Sequence, residues 1–189
     1  MSKVTLESVC LEANTELADI WKFAPWSLEV GGVTWHGATD GRIALFERTA
    51  YTLENTPPPI ARTAITRWFD QRTHAGEVNL QKWQMLLTSI KPLKGLIALG
   101  QTLAMRLVNK AGMLPIGFGD LRSSPITWIG PAGQGVYTDL LNTACQWVSG
   151  KHSDVARITQ NHALQEMIVA TAATHGHRLA VVMPARIDS

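Results

Sequence analysis

The chain has 189 residues, 46% of them hydrophobic and 17% charged, with two cysteines and a formal net charge of +2. That length buries a core without disulfides or metals, and that composition excludes a disordered chain, a collagen, a coiled coil and a disulfide scaffold. The charge is uneven: residues 1–58 hold 4 basic and 8 acidic side chains, residues 59–122 hold 9 and 3, and residues 123–189 hold 4 and 4. A basic middle suits either a phosphate-facing surface or an ordinary solvated one.

Residues 4–21 predict a strand and then a helix, with Leu11, Leu17, Ala18 and Trp21 at partial helical spacing. From Trp26 the pattern predicts three strands, WSLEV, VTWHGAT and RIALFERT. Gly31-Gly32 and Asp40-Gly41 supply the positive φ that tight hairpin turns require. Pro57-Pro58-Pro59 is a rigid extended spacer. The segment after it is read in two ways. Trp68 and Phe69 stack on bases between Arg62, Arg67 and Arg72, or Ile65, Trp68 and Phe69 are the inward face of an amphipathic surface helix.

Glu77–Leu80 predicts a short strand, and QKWQMLLTSI a helix with Leu80, Trp83, Leu87 and Ile90 on one face, stopped by Pro92. Residues 95–130 are broken by Gly and Pro into short strands and loops. After Val136-Tyr137 comes a helix, TDLLNTACQWV. Asp139 near its start suits the helix dipole, and Gly150 suits its C-terminal cap. The last segments, VARITQN, LQEMIVATA and HRLAVVMPARI, predict strands, although Ala163–Ala173 also fits a helix. No repeat of 20–50 residues is visible.

The longest apolar stretch, Gly95–Val108, is interrupted by Gln101 and Arg106 and is too short to cross a bilayer. The N-terminus has no apolar signal region, and two distant cysteines without a CxxC fit a reducing compartment. Together these predict a cytoplasmic protein away from membranes.

Enzyme chemistry finds little support. His175-Gly176-His177 places two rings on one strand face but has no third ligand nearby. Cys145 sits between Leu141 and Val148 on a helix and reads as a buried thiol. Gly117-Phe118-Gly119-Asp120 and the glycines at 130, 133 and 135 match neither a P-loop nor a dinucleotide fingerprint. Asp40 with Glu29 or Glu47 reads as solvated acid in a hairpin region. The expectation is no catalytic residue, no metal and no cofactor.

Two segments carry a family resemblance. WSLEVGGVTWHGATDGRIALFERT contains Ala38-Thr39-Asp40-Gly41 and resembles the hairpin in the middle domain of bacterial sliding clamps, the beta subunit of DNA polymerase III, with its A-T-D-G-H-R-L-A motif. Arg42-Ile43-Ala44 stands where that motif has His-Arg-Leu. The C-terminal run from Ala180 to Ile187, AVVMPARI, is similar to the strand Y-V-V-M-P-M-R-L that ends clamp chains. EVNLQKWQMLLTSI falls where the family has a strand and helix, and the region from Gly135 is similar in layout to the end of the third clamp domain. The resemblance covers about 110 of the 189 residues.

The resemblance implies an α+β, DNA-clamp-like fold with strands in outer sheets and helices on one face. It implies a clamp-like domain over residues 1–125, resembling the middle clamp domain, and a partial one over 126–189, resembling the C-terminal domain. A clamp chain has three domains and is about twice as long, so either a ring would need more copies of this chain or there is no ring at all. The implied function is a noncatalytic, clamp-like accessory protein of DNA replication or repair. A partner's linear peptide would lie in a groove walled by Thr39, Gly41 and Arg42 on one side and Val182, Met183 and Pro184 on the other, with Arg186 at the rim. DNA would be a nonspecific partner, faced by Lys82, Lys91 and Lys94, and copies of the chain would associate. Two rival readings are a clamp-fold scaffold that self-associates without encircling DNA, and an unrelated small enzyme.

Overall fold

The computed structural model describes residues 4–11, 20–69, 73–90, 104–108, 111–113, 125–131, 134–149, 154–162, 165–171 and 177–186. The first strands follow from alternating apolar residues punctuated by glycine. β1 (Trp26–Val30), β2 (Val33–Thr39) and β3 (Ile43–Thr49) form an antiparallel meander. Gly31 and Gly32 turn between the first two at φ 59° and 73°, a conformation that a Cβ disfavours.

Helix α1 (Pro59–Arg67) starts at the third of the three prolines, where a missing N–H costs nothing. Then come β4 (His74–Asn79), α2 (Leu80–Ile90), β5 (Ala104–Val108), β6 (Ala111–Met113) and β7 (Ile126–Trp128). A second series follows in the same order: β8 (Gln134–Tyr137), α3 (Thr138–Val148), β9 (Val155–Thr159), β10 (Met167–Ala170) and β11 (Arg178–Val182). The short β12 (Ala185–Arg186) ends the described chain.

The two series exchange their opening strands. β4 pairs with β9 of the second series, and β8 pairs with β5 of the first. The result is an eight-stranded sheet in the order β1-β2-β3-β11-β10-β9-β4-β7 and a four-stranded sheet in the order β12-β8-β5-β6. The larger sheet takes strands from both sides of residue 125.

Period-2 alternation sorts the large sheet's side chains. Ile43, Leu45, Val169, Ala180 and Val182 join one core with Trp83 and Leu86 of α2 and with Leu141, Ala144 and Trp147 of α3. Ala44, Phe46, Ile168, Leu179 and Val181 point the other way and pack with Trp26, Leu28 and the α1 residues Ala61 and Ile65. The two helices that follow β4 and β8 therefore share one face of the large sheet. The outer-sheet arrangement with its helices is that of the expected α+β clamp-like fold, and α1 adds a cover on the opposite face.

Tryptophans tie the layers together. The Trp147 indole on α3 donates to the Phe46 carbonyl on β3 (3.1 Å), and the Thr171 hydroxyl donates to the Val148 carbonyl at the helix end (2.8 Å). Each bond satisfies a polar group that burial would otherwise strand. Gly37 leaves the space that the Trp26 ring occupies, since a Cβ there would lie inside the indole.

Several expectations change. Residues 4–11 hold a 3-10 turn, Glu7–Val9, instead of a strand, and a second such turn spans Ile20–Lys22. Trp68 and Phe69 follow α1 and pack edge-on against Phe46 at 5.9 and 5.3 Å between ring centres, so they are core rings and not a base-stacking platform. The segment Met167–Ala170 is the expected strand and not the alternative helix, with Val169 and Ile168 buried on opposite faces. The final strand is broken: Pro184 has no N–H to continue the β11 ladder, and β12 joins the other sheet beside β8.

Candidate functional site

The break at Met183-Pro184 brings the two resemblance segments into contact. β11 runs antiparallel to β3 with Val182 opposite Ile43. One residue further on, the Met183 N–H donates to the Arg42 carbonyl at 2.9 Å. The hairpin tip and the terminal strand are thus neighbours, though Arg42 and Met183 are 141 positions apart in the chain.

The tip is held rigid by its own polar groups. Asp40 Oδ1 accepts the N–H of Arg42 (2.7 Å) and of Ile43 (2.9 Å). The Thr39 hydroxyl donates to the Ile43 carbonyl (2.7 Å) and accepts the Gly41 N–H (3.0 Å). Gly41 has φ 90°, and a Cβ built on it would stand 3.7 Å from Cε and 3.8 Å from Nζ of Lys22. Short Asp and Thr side chains bonding nearby backbone are the usual way to fix such a turn.

Within this arrangement the expected groove residues divide. Thr39 and Val182 are buried, at 2% and 0% exposure, and act from beneath as supports. Gly41 and Arg42 are exposed, Met183 is exposed to 37%, and Pro184 is half-buried. Arg186 lies in β12 opposite Gln134, and its side chain is outside the described residues. A residue that the sequence did not single out, Tyr137 at the end of β8, lies under Arg42. The Arg42 guanidinium carbon is 5.3 Å from the Tyr137 ring centre, a cation–π contact. The site is therefore a step at the junction of the two sheets, with Met183 and Pro184 apolar in the middle and Arg42 on its edge.

Of the three lysines expected to face DNA, Lys82 is exposed in the first turn of α2, where its N–H is capped by Asn79 Oδ1 at 2.9 Å. Lys91 and Lys94 lie outside the described residues. On α3, Asp139 is exposed while Asn142, Thr143 and Gln146 are half-buried.

A second concavity, of about 270 Å³, lies at the other end of β3. His36, Glu47, Tyr51, Trp147 and Arg178 line it. Arg178 donates through Nε and Nη2 to Glu47 Oε1 (3.0 and 2.7 Å), and its guanidinium stacks 4.5 Å from the Trp147 ring centre. No sequence motif marked this cluster, because its members come from four separate elements. Burial pushes the Cys145 thiol up to about 12, and burial with the nearby Glu7 charge raises that of Cys10. Among the described residues no three His, Cys, Asp or Glu side chains converge as a metal site would require, and no helix is long and apolar enough to cross a membrane.

No protein-family model and no curated protein matches the chain. Solved structures do. The chain is similar to the DNA polymerase sliding clamp of Pseudomonas aeruginosa, with a TM-score of 0.59 and 10% identity, over 96% of this chain and 62% of that one. It is similar to a putative DNA polymerase III beta subunit from Eubacterium rectale (TM-score 0.59, 9% identity, 98% and 64% covered). It is also similar to the sliding clamp of Caulobacter crescentus (TM-score 0.58, 12% identity, 92% and 60% covered). The chain has the sliding-clamp fold, and it spans less than two thirds of the length of these clamp chains.

Proposed function

We propose that this chain is a noncatalytic clamp-like accessory protein that holds a partner's linear peptide on the step formed by Gly41, Arg42, Met183 and Pro184. The observation that carries this reading is the Met183-to-Arg42 backbone bond, which sets the hairpin tip and the terminal strand side by side. The step offers a partly exposed methionine and a proline between buried supports, the kind of surface on which a peptide's Leu or Phe anchor loses water. The shared fold with proteins named as sliding clamps supports a role beside DNA replication or repair in the cytoplasm. The test is binding of a Leu/Phe-containing linear peptide to the full chain. Met183→Asp should abolish it while far-UV circular dichroism stays unchanged; undiminished affinity refutes the assignment.

Nonspecific contact with DNA is a second reading, favoured by the exposed Lys82 on the face shared by α2 and α3. With Lys91 and Lys94 it would give weak binding at low salt that falls as salt rises. Absence of binding at low salt rejects it. Association of copies is the third element of the proposal, and light scattering across concentrations tests it. A discrete oligomer supports a ring or scaffold, and a strict monomer leaves the peptide module alone.

A further inference from the structure

The cavity at the far end of β3 is floored by a row of polar side chains. His36 stands opposite Glu47 across β2 and β3, and Glu47 stands opposite Arg178 across β3 and β11. Residues directly opposite on antiparallel strands share a face. This is the face that α2 and α3 cover, because the next row inward is Ala38, Leu45 and Ala180 of the helix-side core. Trp147 of α3 and the N-terminal residues Val4–Glu7 bound the space beside the row, and Pro25 and Leu53 add apolar wall. About 270 Å³ is left between them.

The row holds two acceptors that the fold leaves open. A carbonyl can only accept, so His36 Nε2 donates to the Tyr51 carbonyl (2.9 Å), and Nδ1 of the neutral ring is left as an acceptor. Glu47 Oε1 accepts both Arg178 bonds, and Oε2 has no partner among the described residues. Arg178 is committed to Glu47 by two nitrogens and to the Trp147 ring by one face. The charged side chains that line the cavity are Glu7, Glu47 and Arg178, which leaves one negative charge in excess.

We propose that this cavity is a site for a primary alkylammonium ion, a chemistry shared by a free amine and a lysine side chain. An ammonium has three donors and no acceptor, which suits two open acceptors on neighbouring strands. Its single charge balances the excess, and the Tyr51 ring adds an aromatic wall that favours a cation. The alkyl chain lies along Leu6, Pro25 and Leu53, a lining that a hydrated inorganic ion would not use. The site is at the opposite end of β3 from Arg42 and Met183, and it stands or falls apart from the peptide reading.

The experiment is an NMR titration of the full chain, read at the Trp147 indole N–H. The probes are n-butylammonium chloride and n-butanol, which share a four-carbon chain and differ in charge. The expected result is n-butylammonium about fivefold tighter at low salt. Glu47→Gln should bring that ratio close to one. Arg178→Gln should raise it roughly threefold, because the carboxylate loses its inbuilt cation. Far-UV circular dichroism checks that both variants fold. Equal binding of the two probes to the unaltered protein overturns the inference, and so does tighter binding of sodium butyrate, which would make Arg178 the reader. A ratio that survives in Glu47→Gln, or falls in folded Arg178→Gln, overturns it as well. Nα-acetyl-lysine amide then separates the sources. Affinity equal to that of n-butylammonium supports the site with a lysine side chain as its ligand, and affinity for n-butylammonium alone supports it with a free amine.

Discussion

Replacing Met183 with alanine divides one side chain's energy between folding and binding, and its partial exposure sets the division. Fully burying a methionine side chain is worth roughly 1.5–3 kcal/mol. With Met183 37% exposed, the covered part contributes about 0.9–1.9 kcal/mol to folding and the open part leaves about 0.6–1.1 kcal/mol for a ligand to claim. Met183→Ala should therefore lower Tm by about 2–8 °C in a chain of this size and weaken an anchored peptide by about 2.5- to 6-fold. The backbone bond from Met183 to Arg42 does not depend on the side chain and should persist. Thermal melts followed by circular dichroism give the first number, and fluorescence anisotropy with a labelled Leu-Phe peptide gives the second. A fall in Tm with no change in affinity would mean that Met183 is a strand residue and nothing more, which refutes the argument for the step.

Other outcomes follow from the packing and the titration. Gly37→Ala should destabilise the fold by about 1–3 kcal/mol or more, because the new methyl must displace the Trp26 ring; tryptophan emission and denaturant midpoint report it. Cys145 should resist alkylation at pH 8 in the native protein and react once unfolded, since burial keeps its thiol neutral. Because its folded pKa is raised to about 12 from an ordinary 9, its linkage leaves stability whole below about pH 9 and erodes it as pH climbs toward 12. If Lys82, Lys91 and Lys94 all meet phosphates, the plot of log K against log salt should slope at about −2.7, and Lys82→Ala should reduce that slope by about 0.9.

Much of the fold was legible because its signals are local. The β1–β3 meander reads directly from alternation plus Gly31, Gly32 and Gly41. α3 reads from the spacing of Leu141, Ala144, Cys145 and Val148, all of which it buries. Local pattern could not reveal the partners of each strand. The pairing of β4 with β9 joins residues about 80 apart, and no periodicity encodes it. The break at Pro184 was hidden inside an apolar run that looks like one strand, and it takes the second sheet to explain why β12 departs. The sequence placed Thr39 and Val182 on the groove walls by motif position alone; burial puts them beneath it. Tyr137 was missed because its role comes from standing at the β8–α3 junction under Arg42, a relation that appears only after folding.

The large sheet also separates charges that the net value of +2 conceals. On the face shared by α2 and α3, the charged side chains exposed along the two helices are Lys82 and Asp139, one of each sign. On α1, across the sheet, Arg62 and Arg67 are both exposed. A duplex lying along α2 and α3 would thus gain little counterion release from the described part of those helices, and its affinity would depend on lysines beyond Ile90. The proposed peptide step sits at the junction of the two sheets and draws on neither helical face. The two proposed contacts, with DNA and with a peptide, should for that reason be separable by mutation: Lys82→Ala should change the first and leave the second alone, and Met183→Ala should do the reverse. A single substitution that abolished both in a folded protein would mean that one surface serves two partners, contrary to this geometry.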